Sequence, residues 1–446
     1  MDTDVVIAGA GPTGLLLANE LALAGVAAVV VDRLPARSGQ SRALNLQPRT
    51  AEILHLRGWL EPIQEHAMAV LDHGHFAGIP LDYTGFDTPF PYQVGIPQAR
   101  VEEFLERRLG STRWGCEVTA FTQDADGVTV TAGGLLIRAK YLVGADGGRS
   151  TVRRLLGAEF PGRDARIQMV VADVELTGVD DKPWEVPTFT PSERGAAHLV
   201  PLGEGTYRIL FGGPEQQGPD REAPVTDAEI QAAVATHVEG ARFRRTLWAS
   251  RFTDAARQVE QYVHGRVLLA GDAAHIHLPA GGQGLNLGMQ DAFNLGWKLA
   301  AVVRGDAGTD LLATYHSERH PVAADVLRNT MAQGVLLIPD PDIAALREMV
   351  TDMLATRDAN RLVSGMISGL DIHYDMTGSP SHPLLGHRFP GITLPDGRGA
   401  VLRRGPETVV VRPDGHVCWA GPADHDLVGV LDQWGMKRVQ PEDVRA

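Results

Sequence analysis

The sequence has 446 residues, of which 44% are hydrophobic and 22% charged, and its formal net charge is −14. This length predicts two or three domains, and the composition excludes collagen and a disordered chain. The negative charge opposes binding to nucleic acid or to an anionic membrane surface. The longest apolar run, residues 21–31, is too short to cross a membrane. Because the acidic N-terminus also lacks the basic segment of a secretion signal, we expect a cytoplasmic protein.

Cysteine usage is sparse. Cys116 and Cys418 are the two cysteines of the chain, and they form no C-x-x-C pair. Two separated thiols cannot build a disulfide framework or a thiolate metal site. We therefore predict no metal centre.

The N-terminal residues carry the pattern of a strand, a glycine turn, a helix and a second strand, at residues 4–8, 9–14, 15–24 and 26–31. In this context Gly9, Gly11 and Gly14 form a G-x-G-x-x-G dinucleotide motif. Gly9 allows a tight turn, Gly11 lets a pyrophosphate approach the backbone, and Gly14 lets helix and strand pack closely. Asp32, after the second strand, can accept a hydrogen bond from a ribose hydroxyl. The alternative is a glycine-rich turn that binds no ligand.

The regular alternation stops after this unit, and residues 33–49 begin a long loop or insertion. A β-rich region, residues 160–263, follows later in the chain and predicts a separate sheet. The elements predicted between residues 99 and 263 are a helix at 99–109, strands at 117–121, 128–132, 137–143 and 167–176, a hairpin of 198–202 with 206–211, and a helix at 230–238 capped by Thr226 or Asp227.

The C-terminal half returns to an apolar strand, residues 265–270, which runs into Gly271 and Asp272. A second glycine cluster, residues 279–284, precedes a long helix predicted at 285–304. Residues 310–360 are mostly helical. Beyond about residue 361, glycine, proline and short β-type runs such as 408–411 predict a small subdomain.

Three glycine-rich elements stand in a fixed order: Gly9-x-Gly11-x-x-Gly14, Asp146-Gly147 with Arg149-Ser150, and Gly271-Asp272-Ala273-Ala274-His275 with residues 279–286. Together they resemble the flavin-dependent aromatic hydroxylases, the single-component monooxygenases typified by para-hydroxybenzoate hydroxylase and phenol hydroxylase. The whole chain most resembles the bacterial subgroup that hydroxylates aromatic polyketides. The helix–strand connection at 109–114 and the hairpin connection at 131–134 are shorter than is usual in that family.

The resemblance implies an α/β fold with a Rossmann-like FAD-binding domain, a β-sheet substrate domain and a shortened C-terminal domain, for which the thioredoxin-like fold of the family is the candidate. The implied boundaries are 1–160 and 264–330 for the discontinuous FAD domain, 70–95 and 161–263 for the substrate domain, 331–370 for a helical linker and 371–446 for the C-terminal domain. Small aromatic molecules and dioxygen are the implied partners, and a homodimer is left open.

The resemblance also implies which residues hold FAD. Asp146 and Arg149 are candidates for FAD or for the NADPH or NADH that reduces it, and the carbonyl of Pro279 is placed near the substrate. A strand-end turn is the alternative for Asp272, and a structural role is favoured for His275 and His277. The implied FAD contacts are Gly9, Gly11, Gly14, Asp32, Arg33, Arg42, Gln98, Asp146, Gly271, Asp272, Pro279, Gly282, Gly284, Leu285 and Asn286.

The activity implied by the resemblance is hydroxylation of a polycyclic phenol through a flavin C4a-hydroperoxide, with NAD(P)H as reductant. Baeyer–Villiger oxygen insertion or epoxidation on the same fold is one alternative, and an FAD-binding protein without turnover is another. A flavin halogenase is disfavoured because the sequence has no G-W-x-W-x-I-P motif. The candidate substrate contacts, for each of which core packing is the alternative, are Phe76, Phe86, Phe189, His198, Tyr207 and Phe211.

Overall fold

The computed structural model describes residues 2–179, 195–218, 220–376, 381–437 and 439. Phe189, one of the predicted substrate contacts, lies outside these residues. In the described part of the chain, no helix combines the length and the apolar character needed to span a membrane.

The first part of the chain begins with the predicted βαβ unit and continues in short antiparallel pieces. Pro48 starts a helix inside the region predicted as a long loop, because its fixed φ suits the first helical turn. The elements are β1 (Val5–Ala8), α1 (Pro12–Leu23), β2 (Ala28–Val31), β3 (Asn45–Leu46), α2 (Pro48–Leu56), α3 (Leu60–Gln64), β4 (Ala69–Leu71), β5 (His73–Phe76), β6 (Ile79–Asp82), β7 (Gln93–Gly95), α4 (Gln98–Leu109), β8 (Val118–Gln123), β9 (Val128–Ala132), β10 (Leu135–Ala139), β11 (Tyr141–Gly144) and α5 (Thr151–Leu156).

The middle part forms the predicted separate sheet, whose four strands pair antiparallel throughout in the spatial order Ala196–Gly203, Thr206–Gly212, Gln168–Thr177 and Arg242–Thr253. Thr226 caps the helix that covers it, since its hydroxyl accepts a hydrogen bond from the Glu229 N–H at 3.2 Å. The elements are β12 (Gly162–Arg163), β13 (Gln168–Thr177), β14 (Ala196–Gly203), β15 (Thr206–Gly212), α6 (Asp227–His237), β16 (Arg242–Thr253), β17 (Ala256–Gln258) and β18 (Val263–His264).

The last part is mostly helical and ends in a three-stranded antiparallel sheet, whose strands Ala400–Arg404, Glu407–Val411 and Val417–Pro422 pair in chain order. The elements are β19 (Val267–Leu269), β20 (His275–Ile276), α7 (Gln283–Arg304), α8 (Asp310–Leu336), α9 (Pro341–Leu354), α10 (Arg357–Ser368), β21 (Ala400–Arg404), β22 (Glu407–Val411), β23 (Val417–Pro422) and α11 (Val428–Gln433).

A five-stranded sheet of order β18-β19-β11-β1-β2 forms the centre of the fold. Its strands are parallel except for β18 at one edge. The single strand predicted at 137–143 is wrong: the chain forms β10 in a small antiparallel sheet and β11 in the central one. It changes sheets at Lys140, whose ammonium pairs with Asp4 at 2.9 Å. Both β1 and β11 are fully buried, which agrees with their continuous apolar sequences.

The C-terminal sheet is joined to α7 and α8 by a buried ionic cluster. Arg412 donates to Glu318 at 2.7 Å, and Lys298 donates to the same carboxylate at 2.8 Å. Asp414 pairs with Arg412 and accepts from the indole N–H of Trp297. Buried charges of this kind are tolerated only when they are paired and hydrogen-bonded, so the cluster fixes how the C-terminal strands sit against the two helices.

Candidate flavin and substrate site

The turn from β1 to α1 is built for close backbone approach. A Cβ atom on Gly14 would lie 2.0 Å from the Gly9 carbonyl oxygen, and one on Gly9, whose φ is +107°, would lie 2.2 Å from the carbonyl of Ala145. By contrast, a Cβ on Gly11 would meet no atom within 4 Å. No side chain caps the N-terminus of α1, so its N–H groups are available to a phosphate. The turn fits the pyrophosphate of a dinucleotide.

Asp32 lies beside this turn, directly after β2. Its carboxylate accepts from the Ala10 N–H and from the Leu34 N–H, each at 2.8 Å. These two bonds hold the side chain at the edge of the glycine turn. A carboxylate has about four acceptor positions, so Asp32 keeps the capacity to accept a ribose hydroxyl.

The loop that follows is anchored through Gln98. The Gln98 amide accepts from the Ala43 N–H at 3.2 Å and donates to Glu102 at 2.7 Å. Arg42 is exposed, and its backbone carbonyl accepts from Arg208 at 3.4 Å. The structure therefore gives Gln98 a role in positioning this loop, and its predicted contact with FAD stays a prediction, as do those of the exposed Arg33 and Arg42.

Asp146 stabilises the start of α5, whose N-cap residue is Ser150. Its carboxylate accepts from the Thr151 N–H at 2.7 Å, the Val152 N–H at 3.1 Å and the Ser150 hydroxyl. Arg149 forms an exposed ion pair with Glu222. Asp146 thus anchors the start of α5, and its contact with a cofactor stays a prediction.

The glycine turn after β19 packs against the side chain of Thr13, which follows the first glycine turn. A Cβ on Gly271 would lie 2.7 Å from the hydroxyl oxygen of Thr13, and one on Gly288 would lie 2.5 Å from the same atom. The start of α1, the Gly271 turn and α7 therefore converge on Thr13. Asp272 is exposed at this point, and no hydrogen bond between described residues uses its carboxylate. It is available to a ligand.

The start of α7 is held by Asn286. Its amide oxygen accepts from the Gln47 N–H at 2.8 Å, and its amide nitrogen donates to the Gly282 carbonyl at 2.8 Å. Gly282 has φ +63°, and a Cβ there would lie 2.3 Å from the Asn45 side chain. Asn286 is thus a positioning residue, while the backbone of residues 282–285, including Gly284 and Leu285, forms an uncapped helix N-terminus.

A buried acid that the sequence analysis missed fixes the Gly271 turn. Asp291 accepts from the Gly271 N–H at 3.2 Å, His275 Nε2 at 2.6 Å and Arg319 Nε at 2.8 Å. Burial alone would raise the pKa of Asp291, but Arg319 and His275 beside it hold the pKa below its ordinary value. His275 is therefore structural. The signal that could have found this group is an aspartate inside a long helix of mostly apolar and small residues, since an aspartate is rarely buried unless it is paired.

His277 follows two residues later. Its Nδ1 lies 2.8 Å from the Leu278 carbonyl, and burial lowers its pKa. The ring is neutral and packs near Gly284. The structure therefore supports the structural role that was favoured for it. Pro279, by contrast, is exposed, and it precedes the short helical turn Ala280–Gly282.

Most of the aromatic substrate candidates pack in the core. Tyr207 and Phe211 lie on the face of the four-stranded sheet that contacts α6. Phe76 packs between β6 and the helices α9 and α10, and Phe86 is buried with the Arg361 guanidinium 4.5 Å from its ring centroid. The packing of these four side chains agrees with the alternative given for them, and their contact with a substrate stays a prediction. His198 lies on the opposite face of the sheet, because side chains alternate along a strand.

That opposite face carries a polar group which the sequence analysis also missed. Arg208 forms a bidentate ion pair with Asp173, at 2.8 and 2.9 Å, and Trp248 donates its indole N–H to the same carboxylate at 2.5 Å. Paired residues of the antiparallel strands place Arg208, Asp173 and Trp248 on the same side as His198. This face, and not the face that carries Tyr207, is turned away from α6.

Residues 2–330 match the sequence model of a family described as FAD binding domain. The chain is 43% identical to the 12-dehydrotetracycline 5-monooxygenase/anhydrotetracycline 6-monooxygenase of Streptomyces rimosus, over an alignment of 498 residues that covers 97% of this chain and 98% of the relative. The chain belongs to the flavin-dependent aromatic hydroxylases. The alignment is longer than this hydroxylase, so the relative contains residues that have no counterpart here.

Two further comparisons agree with this assignment. The hydroxylase is 40% identical to the rifampicin monooxygenase of Streptomyces venezuelae, with 97% of this chain and 98% of the relative covered. The solved structure of OxyS anhydrotetracycline hydroxylase from Streptomyces rimosus superposes with a TM-score of 0.88 at 42% identity, covering 97% of this chain and 99% of that one. The predicted α/β fold class and the predicted FAD cofactor are confirmed.

Proposed function

We propose that this hydroxylase uses NADPH or NADH to hydroxylate a polycyclic aromatic phenol of the polyketide type, by the flavin–oxygen chemistry that the family resemblance implies. The observation that carries the proposal is the convergence of two glycine turns on Thr13. Residues from both ends of the FAD-binding sequence thereby meet at one edge of the parallel sheet, which is where doubly wound folds bind their ligands.

On the cofactor side, the chain supplies backbone donors and two acids. The uncapped N–H groups of α1 would hold the pyrophosphate of FAD, Asp32 would accept a hydrogen bond from a ribose hydroxyl, and Asp272 would accept one from a ribityl hydroxyl. The positive N-terminal end of α7 would stabilise negative charge on the bound flavin. FAD bound here supplies electron transfer from the nicotinamide and reaction with dioxygen.

On the substrate side, the four-stranded sheet presents its Arg208 face, while α6 covers the other. We place the substrate between this face and the Pro279 carbonyl. We assign residues 1–160 and 264–330 to the domain that binds FAD, and residues 161–263 with 70–95 to the domain that binds the substrate. Residues 331–370 form a helical support and residues 371–446 the C-terminal domain. Enclosing the reacting atoms excludes water, which would otherwise divert the reaction to hydrogen peroxide.

The test is oxidation of NADPH and NADH by the FAD-loaded protein under air, with and without polycyclic phenols. Anhydrotetracycline is the first phenol to use, because the aligned relative and the superposed structure are named for it. We expect stimulated oxidation, little hydrogen peroxide and a product 16 Da heavier than the substrate.

Product structure separates the remaining alternatives. A new phenolic or tertiary hydroxyl supports hydroxylation, whereas a lactone indicates Baeyer–Villiger insertion and an oxirane indicates epoxidation. Absence of any stimulation across a broad panel of phenols, with FAD bound, refutes the proposal.

A further inference from the structure

A buried tyrosine connects the C-terminal part of the chain to the FAD-binding part. Tyr374 follows α10, and its hydroxyl accepts a hydrogen bond from Nη1 of Arg319 at 3.0 Å. Both side chains are buried. Arg319 lies on α8, within the sequence that matches the FAD-binding family. The bond therefore joins the last part of the chain to the helix that supports the Gly271 turn.

The position of Tyr374 is set from the C-terminal side. Its ring packs against His416, with 4.3 Å between the ring centroids. Its N–H donates to the Gly386 carbonyl at 3.1 Å, and the Gly386 N–H donates to the carbonyl of Val417, the first residue of β23, at 2.8 Å. The tyrosine is thus fixed to the three-stranded C-terminal sheet through both its ring and its backbone.

The orientation of the Arg319 guanidinium depends on two short contacts. Its Nε donates to Asp291 at 2.8 Å, and its Nη1 donates to Tyr374 at 3.0 Å. The contacts of Nη2, to the Leu287 carbonyl at 3.4 Å and to Gln290 at 3.5 Å, are longer and therefore weaker. Because the guanidinium is planar, holding Nε and Nη1 fixes the plane of the whole group.

Asp291 passes this restraint to the Gly271 turn. Its Oδ1 accepts from Arg319, while its Oδ2 accepts from the Gly271 N–H at 3.2 Å and from His275 Nε2 at 2.6 Å. The two oxygens belong to one rigid carboxylate, so a contact that orients Oδ1 also orients Oδ2. Gly271 directly precedes Asp272, the exposed acid that is available to a ligand. The geometry of the turn therefore depends on how Arg319 is held.

The neighbouring residue of α8 ties the same helical turn to the same sheet. Glu318 accepts from Arg412, which follows β22, at 2.7 Å. The C-terminal sheet thus holds α8 beside Arg319, through Glu318, and also holds the end of the Arg319 side chain, through Tyr374.

We propose that Tyr374 is a positioning residue for FAD. Acting through Arg319 and Asp291, its hydroxyl holds the Gly271 turn in the conformation that directs the Asp272 carboxylate to the cofactor. The C-terminal part of the chain thereby completes the ribityl side of the FAD site. This inference rests on the assignment of Asp272 to a ribityl hydroxyl in the proposed function.

The test is a double-mutant cycle between Tyr374→Phe and Asp272→Ala. Tyr374→Phe removes the acceptor for Arg319 but keeps a ring to pack against His416. If Tyr374 acts through Asp272, its effect on FAD affinity disappears once the Asp272 carboxylate is absent. Gly11→Ala, at the other glycine turn, supplies a background in which the effect of Tyr374→Phe should persist.

Val401→Ala is the matched control for a general loss of packing. Val401 is buried in the C-terminal sheet, in the same apolar cluster as Tyr374, and it has no part in the hydrogen bonds that lead to Asp272. This variant should lower the stability of the apoprotein in urea and leave FAD binding unchanged.

FAD affinity is measured by fluorescence titration of the apoprotein, and the visible circular dichroism of the bound flavin is recorded at saturating FAD. We expect Tyr374→Phe to weaken FAD binding about threefold to tenfold in the wild-type and Gly11→Ala backgrounds. In the Asp272→Ala background its effect should stay within about twofold. The flavin dichroism should change in Tyr374→Phe and match wild type in Val401→Ala.

The outcomes separate this inference from the proposed function. Unchanged FAD affinity in Asp272→Ala refutes the assignment of Asp272, and this inference fails with it. If Asp272→Ala weakens binding, the inference alone is overturned by unchanged affinity in Tyr374→Phe, by an equal effect of Tyr374→Phe with and without Asp272, or by an equal loss in Val401→Ala.

Two features keep the test decisive. If the Tyr374→Phe apoprotein does not fold, Arg319→Lys takes its place in the cycle with the same expectations, because lysine keeps a charge beside Asp291 but cannot also reach Tyr374 with a planar group. None of these measurements uses a phenol, so a failure of the proposed hydroxylation is detected separately, in the NADPH oxidation assay.

Discussion

Gly11 and Gly14 belong to the same motif but have opposite surroundings, which allows their roles to be separated. A Cβ on Gly14 would meet the Gly9 carbonyl oxygen at 2.0 Å and the side chain of Ile7 at 3.3 Å, whereas one on Gly11 would meet nothing within 4 Å. Gly11 also has φ −77°, which alanine adopts without strain. Gly14→Ala should therefore lower the stability of the fold, and Gly11→Ala should weaken the binding of FAD.

The magnitudes follow from these distances. The Cβ in Gly14→Ala requires a backbone shift of more than about 1 Å, and overpacking of this kind costs roughly 1–3 kcal/mol of folding free energy or more. Gly11→Ala should leave the stability of the apoprotein within about 1 kcal/mol. It places a methyl group where the pyrophosphate approaches, and losing one charge-assisted N–H bond of about 1.5–3 kcal/mol weakens FAD binding roughly tenfold to a hundredfold.

The two properties are measured separately. Urea unfolding of the FAD-free proteins, monitored by circular dichroism, gives the stability, and fluorescence titration with FAD gives the affinity. Unchanged FAD affinity in Gly11→Ala would refute the placement of the pyrophosphate at this turn. Unchanged stability in Gly14→Ala would refute the packing argument.

Three further predictions concern acids. Asp32→Ala and Asp272→Ala should each weaken FAD binding by about 1–3 kcal/mol, and unchanged flavin retention in both would contradict their assignment. Asp291→Asn leaves the guanidinium of Arg319 buried without its ion-pair partner, so urea unfolding should show a loss of roughly 3–5 kcal/mol; a loss below about 1 kcal/mol would show that the network is not stabilising. Burial alone would raise the pKa of Glu318, but neighbouring buried cations lower it to about 2. Since a depressed carboxyl pKa stabilises the fold above its unfolded value, the stability difference between wild type and Glu318→Gln should shrink as the pH falls from about 4.5 toward 2. A difference that grows on acidification would contradict this reasoning.

Local patterns predicted the elements whose signals lie close together in the chain. The helix predicted at 99–109 is α4 (Gln98–Leu109), and the hairpin predicted from 198–202 and 206–211 is formed by β14 and β15. The predicted cap Thr226 begins α6. In each case the signal is a short-range property of the sequence: apolar residues repeating every 3.6 residues in a helix or every 2 residues in a strand, a capping residue, or a glycine turn.

The pairing of distant charges could not be predicted in this way. Asp291 contacts Arg319 and the Gly271 N–H, and Glu318 contacts Arg412. Each of these partners is many residues away, and a single sequence does not specify which buried charges meet. The same holds for the split of residues 137–143 between two sheets, because the apolar run is continuous and only strand pairing divides it.

The sequence by itself determined the dinucleotide turn, because its glycines and its acid are local requirements of backbone geometry, and the resemblance of three glycine-rich elements to the flavin-dependent aromatic hydroxylases indicated the cofactor and the enzyme family. The tertiary structure decided which side of each strand in the four-stranded sheet is packed against a helix. Tyr207 and His198 both lie in the predicted hairpin, yet the alternation of side chains places Tyr207 against α6 and His198 on the opposite face. A strand's pattern fixes which residues share a face, but the face that becomes core is set by the helix that packs on it.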